Sequence, residues 1–556
     1  MDRNAALVKP GFHIHPYALA GLVPAVFFLV FYFYPLSGIF LKSFFQEGRM
    51  DLSFLDQVFS SKRIMKIIGF TVWQAGLSTL LTLVCALPCA FVLSHYAFKG
   101  KRVIKLLASI PFVLPAVVVA AAFQAGFGKN GGLFGIKIDH PLVLILLAHV
   151  FYNFSVMLRI LTGFWSSLQG RIREAAMMLG AGPVQVFLTI TLPLLKPAIY
   201  AASTLVFIFC FSSFGIILIL GGPSVSTIEA EIYRQAAHLF NLPVASFLSL
   251  IQIGFTFALM WVYTSFTRKA VRFSPDAEQA NLKTPVLVWE KLIIAGVILF
   301  ILLLCVAPLL ALVIKSLTHN GQWSFVFYTA LFDNPSDSIF YIPPFHAIKF
   351  SFLFAGTSLV IALVTGVCAA VFIRFCDRRF NNQWTAFFDP IFMLPLSTSA
   401  VTLGFGIIIT LDKPPLNLRT SIFLIPIAHA LVGFPFVVRA ILPALRSIPQ
   451  QFTDAAAMLG ASPMTIFKTI DLPLVARALV AGAIFAFTIS LGEFGATIFT
   501  ARPETPTIPL AIYRFLGQPG AMNYGQAMAI SAILMVITAM GFVVIETFRI
   551  DSSEGF

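Results

Sequence analysis

The chain has 556 residues, of which 59% are hydrophobic and only 11% charged, with a mean hydropathy of +0.92. A soluble domain carries roughly 25% charged residues, so several water-soluble domains are excluded and the chain reads as an integral membrane protein. The net charge of +14 lies between apolar runs without a basic domain or a zinc-finger or RNA-binding signature. That excludes a nucleic-acid partner and assigns the excess to topological charge on loops.

The first sixteen residues are polar, with Arg3 and Lys9. The apolar run from about Tyr17 to Phe45 is too long for a signal-peptide core and lacks a small-residue cleavage site. A spanning helix needs about 20 mostly apolar residues. Twelve candidates follow, centred on 17–43, 67–94, 103–127, 141–163, 198–220, 243–266, 291–315, 349–374, 386–411, 420–443, 478–500 and 526–547. Several contain Pro or Gly, which membrane helices tolerate when neighbours satisfy the freed backbone groups. The six cysteines lie in or beside apolar runs, with no His or carboxylate flanking the Cys85–Cys89 pair, and read as packing residues.

Alternate loops sort by charge. One set holds Lys99, Lys101, Arg102 and Lys105; Arg171, Arg173 and Lys196; Arg268, Lys269, Arg272 and Lys283; Arg374, Arg378 and Arg379; and Arg446, Lys468 and Arg477. The other is poorer in basic residues or offset by acids, as with Glu229 and Glu231 near Arg234 and Glu504 near Arg502. The positive-inside rule puts the first set and both termini in the cytoplasm.

The two halves repeat each other at an offset of 280 residues. Glu174-Ala-Ala-Met-Met-Leu-Gly-Ala-Gly-Pro answers to Asp454-Ala-Ala-Ala-Met-Leu-Gly-Ala-Ser-Pro. Leu114-Pro115 matches Leu394-Pro395, Ala148-His149 matches Ala428-His429, and Arg159 matches Arg439. Phe214-Gly215 matches Phe494-Gly495, Thr227-Ile228 matches Thr507-Ile508, and Ile232-Tyr233-Arg234 matches Ile512-Tyr513-Arg514. Residues 1–267 then form one six-span half, 268–290 a polar linker with Pro275 and Pro285, and 291–556 the second half. An even span count inserts both halves in the same orientation, with the pathway at their interface.

The longest loop on the basic side of each half, 171–197 and 451–477, carries the best-matched stretch. The first runs Glu174-Ala175-Ala176, Gly180, then Leu192-Pro193; the second runs Asp454-Ala455-Ala456, Gly460, then Leu472-Pro473. This spacing predicts a short helix outside the membrane. The acid would sit near its N-terminus to complement the helix dipole, the alanines would leave a flat face, and the glycine would end the helix. The proline would open the next span.

These stretches resemble the EAA loops of bacterial ABC importer permeases, with Asp454 in place of Glu in the second copy. The resemblance covers the whole chain. It implies an all-α integral membrane protein of the ABC importer type I permease fold, with about twelve transmembrane helices in two parallel six-helix repeats. It also implies that Glu174, Ala175, Ala176, Gly180, Leu192 and Pro193, with Asp454, Ala455, Ala456, Gly460, Leu472 and Pro473, couple the chain to a cytoplasmic ABC ATPase homodimer. A periplasmic or lipid-anchored binding protein would deliver substrate, at a bacterial inner membrane. Fused two-half permeases belong to the thiamine and iron(III) branch. Leu146–Asn153, Gly221-Gly222-Pro223 leading to Tyr233, and Leu491–Ala496 are most similar to thiamine permeases of that branch.

No Gly-x-x-x-x-Gly-Lys-Ser/Thr motif occurs, nor a nucleophile elbow or zinc-binding HExxH. The expectation is a transport subunit with no catalytic residue and no cofactor, its ATP hydrolysed by the partner. Glu493 falls inside the eleventh span, where a carboxylate is costly and tends to mark a pathway. Its repeat counterpart is Ser213, so one wall of the path would be charged, which suits a cationic substrate. Glu493, Ser213 and Asn153 are the candidate pathway residues. His149 and His429 occupy equivalent places and read as hydrogen-bonding across helix interfaces, and Arg159 and Arg439 as snorkelling to the interface. Segments 221–234 and 501–514 should face the binding protein or line the outer gate, the competing reading being a re-entrant turn. An iron(III) importer of the same branch, an ion-coupled secondary transporter and a membrane-embedded enzyme are the rival functions.

Overall fold

The computed structural model describes residues 16–46, 49–128, 132, 135–168, 175–222, 225–272, 282–333, 343–379, 385–412, 414 and 416–550. Among them, ten unbroken helices are long and apolar enough to cross a membrane, and two sharply bent pairs raise the number to twelve. In the N-terminal half these are α1 (Tyr17–Phe44), α2 (Lys62–His95), the bent pair α3 (Lys101–Val113) and α4 (Ala116–Phe127), and α5 (Pro141–Ser167). Helix α6 (Pro183–Phe211) follows, then the short helices α7 (Gly215–Leu220) and α8 (Ile228–Tyr233), and α9 (Leu242–Arg272).

The C-terminal half repeats the plan. It comprises α10 (Val288–Ser316) and α11 (Pro344–Arg379), the bent pair α12 (Thr385–Ser397) and α13 (Ala400–Thr410), and α14 (Leu424–Ser447). The loop helix α15 (Gln450–Met458) follows, then α16 (Pro463–Gly492), the short helices α17 (Thr497–Thr500) and α18 (Ile508–Leu516), and α19 (Ala521–Ile550). After α1 and α10 come small hairpins, pairing Phe45 with Met50 and Thr318 with Trp323. Asn320 and Gly321 both take positive φ, 50° and 80°, which a tight hairpin turn requires.

The first helix of each half reaches across to the other half while keeping contacts with its own. Phe28 of α1 meets Phe392 and Phe434 at ring distances of 5.5 and 4.9 Å, and the Tyr32 hydroxyl lies 2.6 Å from Thr398 Oγ1. Conversely, α10 lies on α2, α3 and α4, with Phe300 6.1 Å from Phe154. Two large cores result: one gathers C-terminal-half helices around Phe27, Phe28 and Tyr32 of α1, and the other joins the N-terminal half to α10 and to parts of α11, α13, α18 and α19. Lipid tails are as apolar as these side chains, so close packing and hydrogen bonds, more than transfer from water, hold such helices together. The linker's described end joins in: the Lys283 backbone bonds to His95 and Ala97 at 2.9 and 3.0 Å.

Four expected spans are broken partway. The third bends by 107° between α3 and α4, and the ninth by 95° at the α12–α13 break. Pro115 follows Leu114 at the first break, where Leu114 and Pro115 are extended. A proline donates no hydrogen bond and disfavours helix in the residue before it. The fifth span breaks at Ser212–Phe214, between α6 and α7. The eleventh breaks after Gly492, between α16 and α17.

Candidate functional site

The four breaks meet at one place. A cavity of about 350 Å³ between the halves is lined by Leu114–Ala116, Pro395–Ala400, Ser212–Gly215 and Gly492–Gly495, less Ser397. Unwound backbone inside a membrane is tolerated where it is buried in protein or faces a cavity, and transporter binding sites recur at such discontinuous helices. The halves touch closely here. A Cβ on Gly492 would stand 2.8 Å from the Pro115 ring, so glycine is needed for the approach.

Two carboxylates face the cavity. Glu493, 7% exposed, is the residue at which α16 stops, and thus stands at the break instead of inside a continuous eleventh span. Its carboxylate accepts from the Ala496 and Thr497 amides at 3.0 and 3.1 Å and from Thr497 Oγ1 at 3.1 Å. Glu229 is the second, 1% exposed on α8, accepting from Gln252 Nε2 of α9 with Ser399 of the other half alongside. Sequence reading grouped Glu229 with the acids of an exterior loop and missed it. The signal was present: the repeat places Pro509 opposite Glu229, as it places Ser213 opposite Glu493.

Behind the breaks stand the two histidines, both fully enclosed. His149 is 3.0 Å from Ser78 Oγ through Nδ1 and 2.9 Å from Ser213 Oγ through Nε2. His429 is 2.8 Å from Ser490 Oγ through Nδ1 and 2.7 Å from Thr497 Oγ1 through Nε2, with Glu493 Oε2 at 3.5 Å. Each ring bonds across a helix interface and fixes a helix break. Ser213 lines the cavity as expected. Asn153 does not: its side-chain amide donates to His149 O and Cys210 Sγ within the N-terminal half, at 3.0 and 3.3 Å.

Aromatic rings line and close the space. Phe112, Tyr152, Phe436 and Phe485 form part of the wall. Phe214 and Phe494, which are repeat equivalents, stack at 5.5 Å with planes 26° apart. Tyr233 lies 5.8 Å from Phe214, and its equivalent Tyr513 lies 5.5 Å from Phe494. Tyr233 belongs to the described stretch 225–234, which is tucked into the protein: Glu229, Glu231 and Thr227 are buried. Helices α8 and α18 are tethered alike, the Ile228 amide to Thr71 Oγ1 at 3.1 Å and the Ile508 amide to Ser351 Oγ at 2.7 Å. Glu231 pairs with Arg234 and lies 4.0 Å from Arg63 at the start of α2.

The two EAA loops lie at the opposite end of the helices. Glu174 is outside the described residues, and a short helix occupies 175–178. Gly180 and Gly460 take φ of +87° and +83°. In the first loop the Ala181 amide bonds to Ala176 O at 3.1 Å and the Gly180 amide to Met177 O at 3.0 Å. In the second, Ala461 bonds to Ala456 and Gly460 to Ala457, both at 3.0 Å. This paired pattern is the Schellman ending, which a glycine in the left-handed region makes possible. It turns an apolar pair outward in each loop: Met178 and Leu179 are 89% and 90% exposed, Met458 and Leu459 both 89%. Ala175 and Ala455 are exposed, Ala176 and Ala456 half-buried.

Two expectations about these loops are corrected. Asp454 is the fifth residue of α15 and exposed, beyond the first turn where a dipole effect acts, so its charge points to solvent. Pro193 and Pro473 do not open the following spans. Helices α6 and α16 begin ten residues earlier, at Pro183 and Pro463, and pass through π-helical turns at Phe187–Thr191 and Phe467–Asp471. Leu192-Pro193 and Leu472-Pro473 follow these turns directly, and wider winding accommodates a ring that cannot donate to the preceding turn.

Comparison with known proteins gives a consistent picture. The family described as the binding-protein-dependent transport system inner membrane component matches twice, over residues 78–272 and 362–550. Among curated relatives, the thiamine transport system permease protein ThiP of Escherichia coli K12 is 24% identical over 510 residues, covering 88% of this chain and 90% of that protein. The ThiP of Haemophilus influenzae is 25% identical over 546 residues, covering 95% and 96%. The ThiP of Brucella abortus strain 2308 is 25% identical over 505 residues, covering 89% of each.

Proposed function

The chain belongs to the family of inner membrane components of binding-protein-dependent transport systems, and from that premise we propose that it carries thiamine through the central cavity. It is the multi-pass permease subunit of an ABC importer, working with an ATPase and a substrate-binding protein. The observation that carries the substrate is the cavity's chemistry. Glu229 and Glu493 sit among the rings of Phe112, Tyr152, Phe214, Phe436, Phe485 and Phe494. A thiazolium cation joined to a flat pyrimidine meets both needs, through charge pairing and through stacking on aromatic faces. The relatives' names support the same substrate.

In this reading the EAA loops face the cytoplasm and both termini lie on that side. Each apolar pair, Met178-Leu179 and Met458-Leu459, seats one subunit of an ATPase homodimer, with Glu174 and Asp454 at the rim of the contact. The chain binds no cofactor of its own. ATP-driven approach of the two loops rocks the halves, parts the Phe214–Phe494 stack and opens the cavity to a docked periplasmic binding protein. Calorimetric titration of the binding protein that co-purifies with this permease tests the substrate. Thiamine binding is expected. Binding of Fe(III) alone overturns the substrate and leaves the permease role standing.

A further inference from the structure

A second cavity, about 680 Å³, opens on the EAA-loop side of the helices and is unrelated to the two-carboxylate cavity. Lys101, Arg102, Lys105 and Arg159 line it from α3 and α5, with Glu546 of α19 the one acidic residue. Among the described residues, none of the four cations is in an ion pair, and Lys101 Nζ donates only to Tyr96 O, at 2.8 Å. The repeat does not require this cluster: the register positions of Lys101, Arg102 and Lys105 in the other half are Asn381, Asn382 and Thr385.

The basic cavity continues into an apolar one. A groove of about 530 Å³, nearly devoid of polar surface, is lined by Ile110, Leu310, Val313, Met535 and Met540, and it shares Val543 with the basic cavity. Along α3 the lining passes from Ser109 in the first to Ile110 in the second. Between Glu546 and Met535 helix α19 rises about 16 Å at 1.5 Å per residue, close to the ~15 Å hydrocarbon depth of one leaflet. Charge at the membrane surface, followed by an apolar slot one leaflet deep, matches a phospholipid in shape and order. The excess of cations over the single carboxylate selects an anionic headgroup, the usual occupant of basic pockets between membrane helices.

We infer that Lys101, Arg102, Lys105 and Arg159 hold the phosphate of an anionic phospholipid whose acyl chain lies between α3, α10 and α19. Helices α10 and α19 belong to the C-terminal half and α3 and α5 to the N-terminal half. The lipid therefore bridges the halves at a joint that must move during transport.

Native mass spectrometry of the whole transporter, purified from membranes containing phosphatidylglycerol and cardiolipin, tests this. The wild-type complex should retain anionic lipid in preference to phosphatidylethanolamine. The triple variant R102Q/K105Q/R159Q should lose that retention at least tenfold. Met540→Trp, which blocks the exposed apolar groove and leaves every charge in place, should lose it as well. Two results overturn the inference: wild-type complex with no anionic preference, or retention unchanged in Met540→Trp. Displacement of the lipid by millimolar glycerol phosphate as effective as by added phosphatidylglycerol would also overturn it, since a headgroup-only anion site would then be present.

Discussion

Phe214 and Phe494, 280 positions apart in the chain, stack on one another at 5.5 Å across the junction of the two halves. Each is braced by the tyrosine of a short helix of its own half, Tyr233 of α8 or Tyr513 of α18. An aromatic pair of this kind contributes about 0.5–1.5 kcal/mol beyond its area burial. The contact exists only while the halves are together. The double variant F214A/F494A should therefore favour separation of the halves, raising ATPase turnover without substrate several-fold while lowering uptake. ATPase assays with and without the binding protein check this; unchanged basal turnover would remove these rings from the closing mechanism.

Glu229 and Glu493 come from non-equivalent positions of the repeat yet border the same cavity. Glu229→Gln and Glu493→Gln should each reduce uptake of a cationic substrate at least tenfold, a loss of about 1.4 kcal/mol or more. Initial uptake rates in proteoliposomes measure it. Because Glu493 also accepts two backbone amides, its variant should lower the melting temperature as well. Glu229→Gln, whose partner is a side-chain amide, should leave it nearly unchanged.

If the outward apolar pairs of the EAA loops seat the ATPase, that contact is separable from folding. M178S/L179S and M458S/L459S touch side chains about nine-tenths exposed, so the melting temperature of the isolated permease should stay within a few degrees. Co-purification of the ATPase should fall sharply for either. Gly460→Val places a β-branched residue at φ +83°, at a cost of about 1–2 kcal/mol, and should weaken the same contact by disturbing the loop's turn.

The two EAA loops are not braced alike. Arg374 and Asp471 form a buried ion pair at 2.6 Å beneath the second loop, where Arg446 also pairs with Asp377 at 2.9 Å. Tyr17 of α1 donates to Pro463 O at 2.8 Å. The repeat positions of Arg374 and Asp471 in the first half are Ser94 and Thr191. Removing one member of a buried pair costs about 3–5 kcal/mol, whereas replacing both with apolar residues can be neutral. Asp471→Asn should lower the melting temperature markedly, and R374M/D471L should restore most of it; thermal unfolding in detergent compares them.

Much of this architecture was legible in the chain. The 280-residue register paired Gly180 with Gly460 at the loop turns and His149 with His429 at the helix breaks, because those features are local or periodic. The helix breaks were less so. Hydropathy counts residues and is blind to a reversal of direction, although Pro115, Pro395 and the Gly492–Gly495 stretch marked the places. Glu229 was misplaced because an acid near Arg234 reads as loop chemistry until the fold turns that segment back inward. The crossing of α1 and α10 onto opposite halves had no sequence signal, since both faces of such a helix are apolar whichever partner they meet.

This permease should move a thiamine-like cation only when an ATPase drives its EAA loops. The direct measurement is uptake of radiolabelled thiamine into proteoliposomes holding the permease, with its ATPase and binding protein added or withheld. Uptake should need ATP and both partners, and M458S/L459S should abolish it. Uptake by the permease alone, driven by an ion gradient and indifferent to ATP, would contradict this.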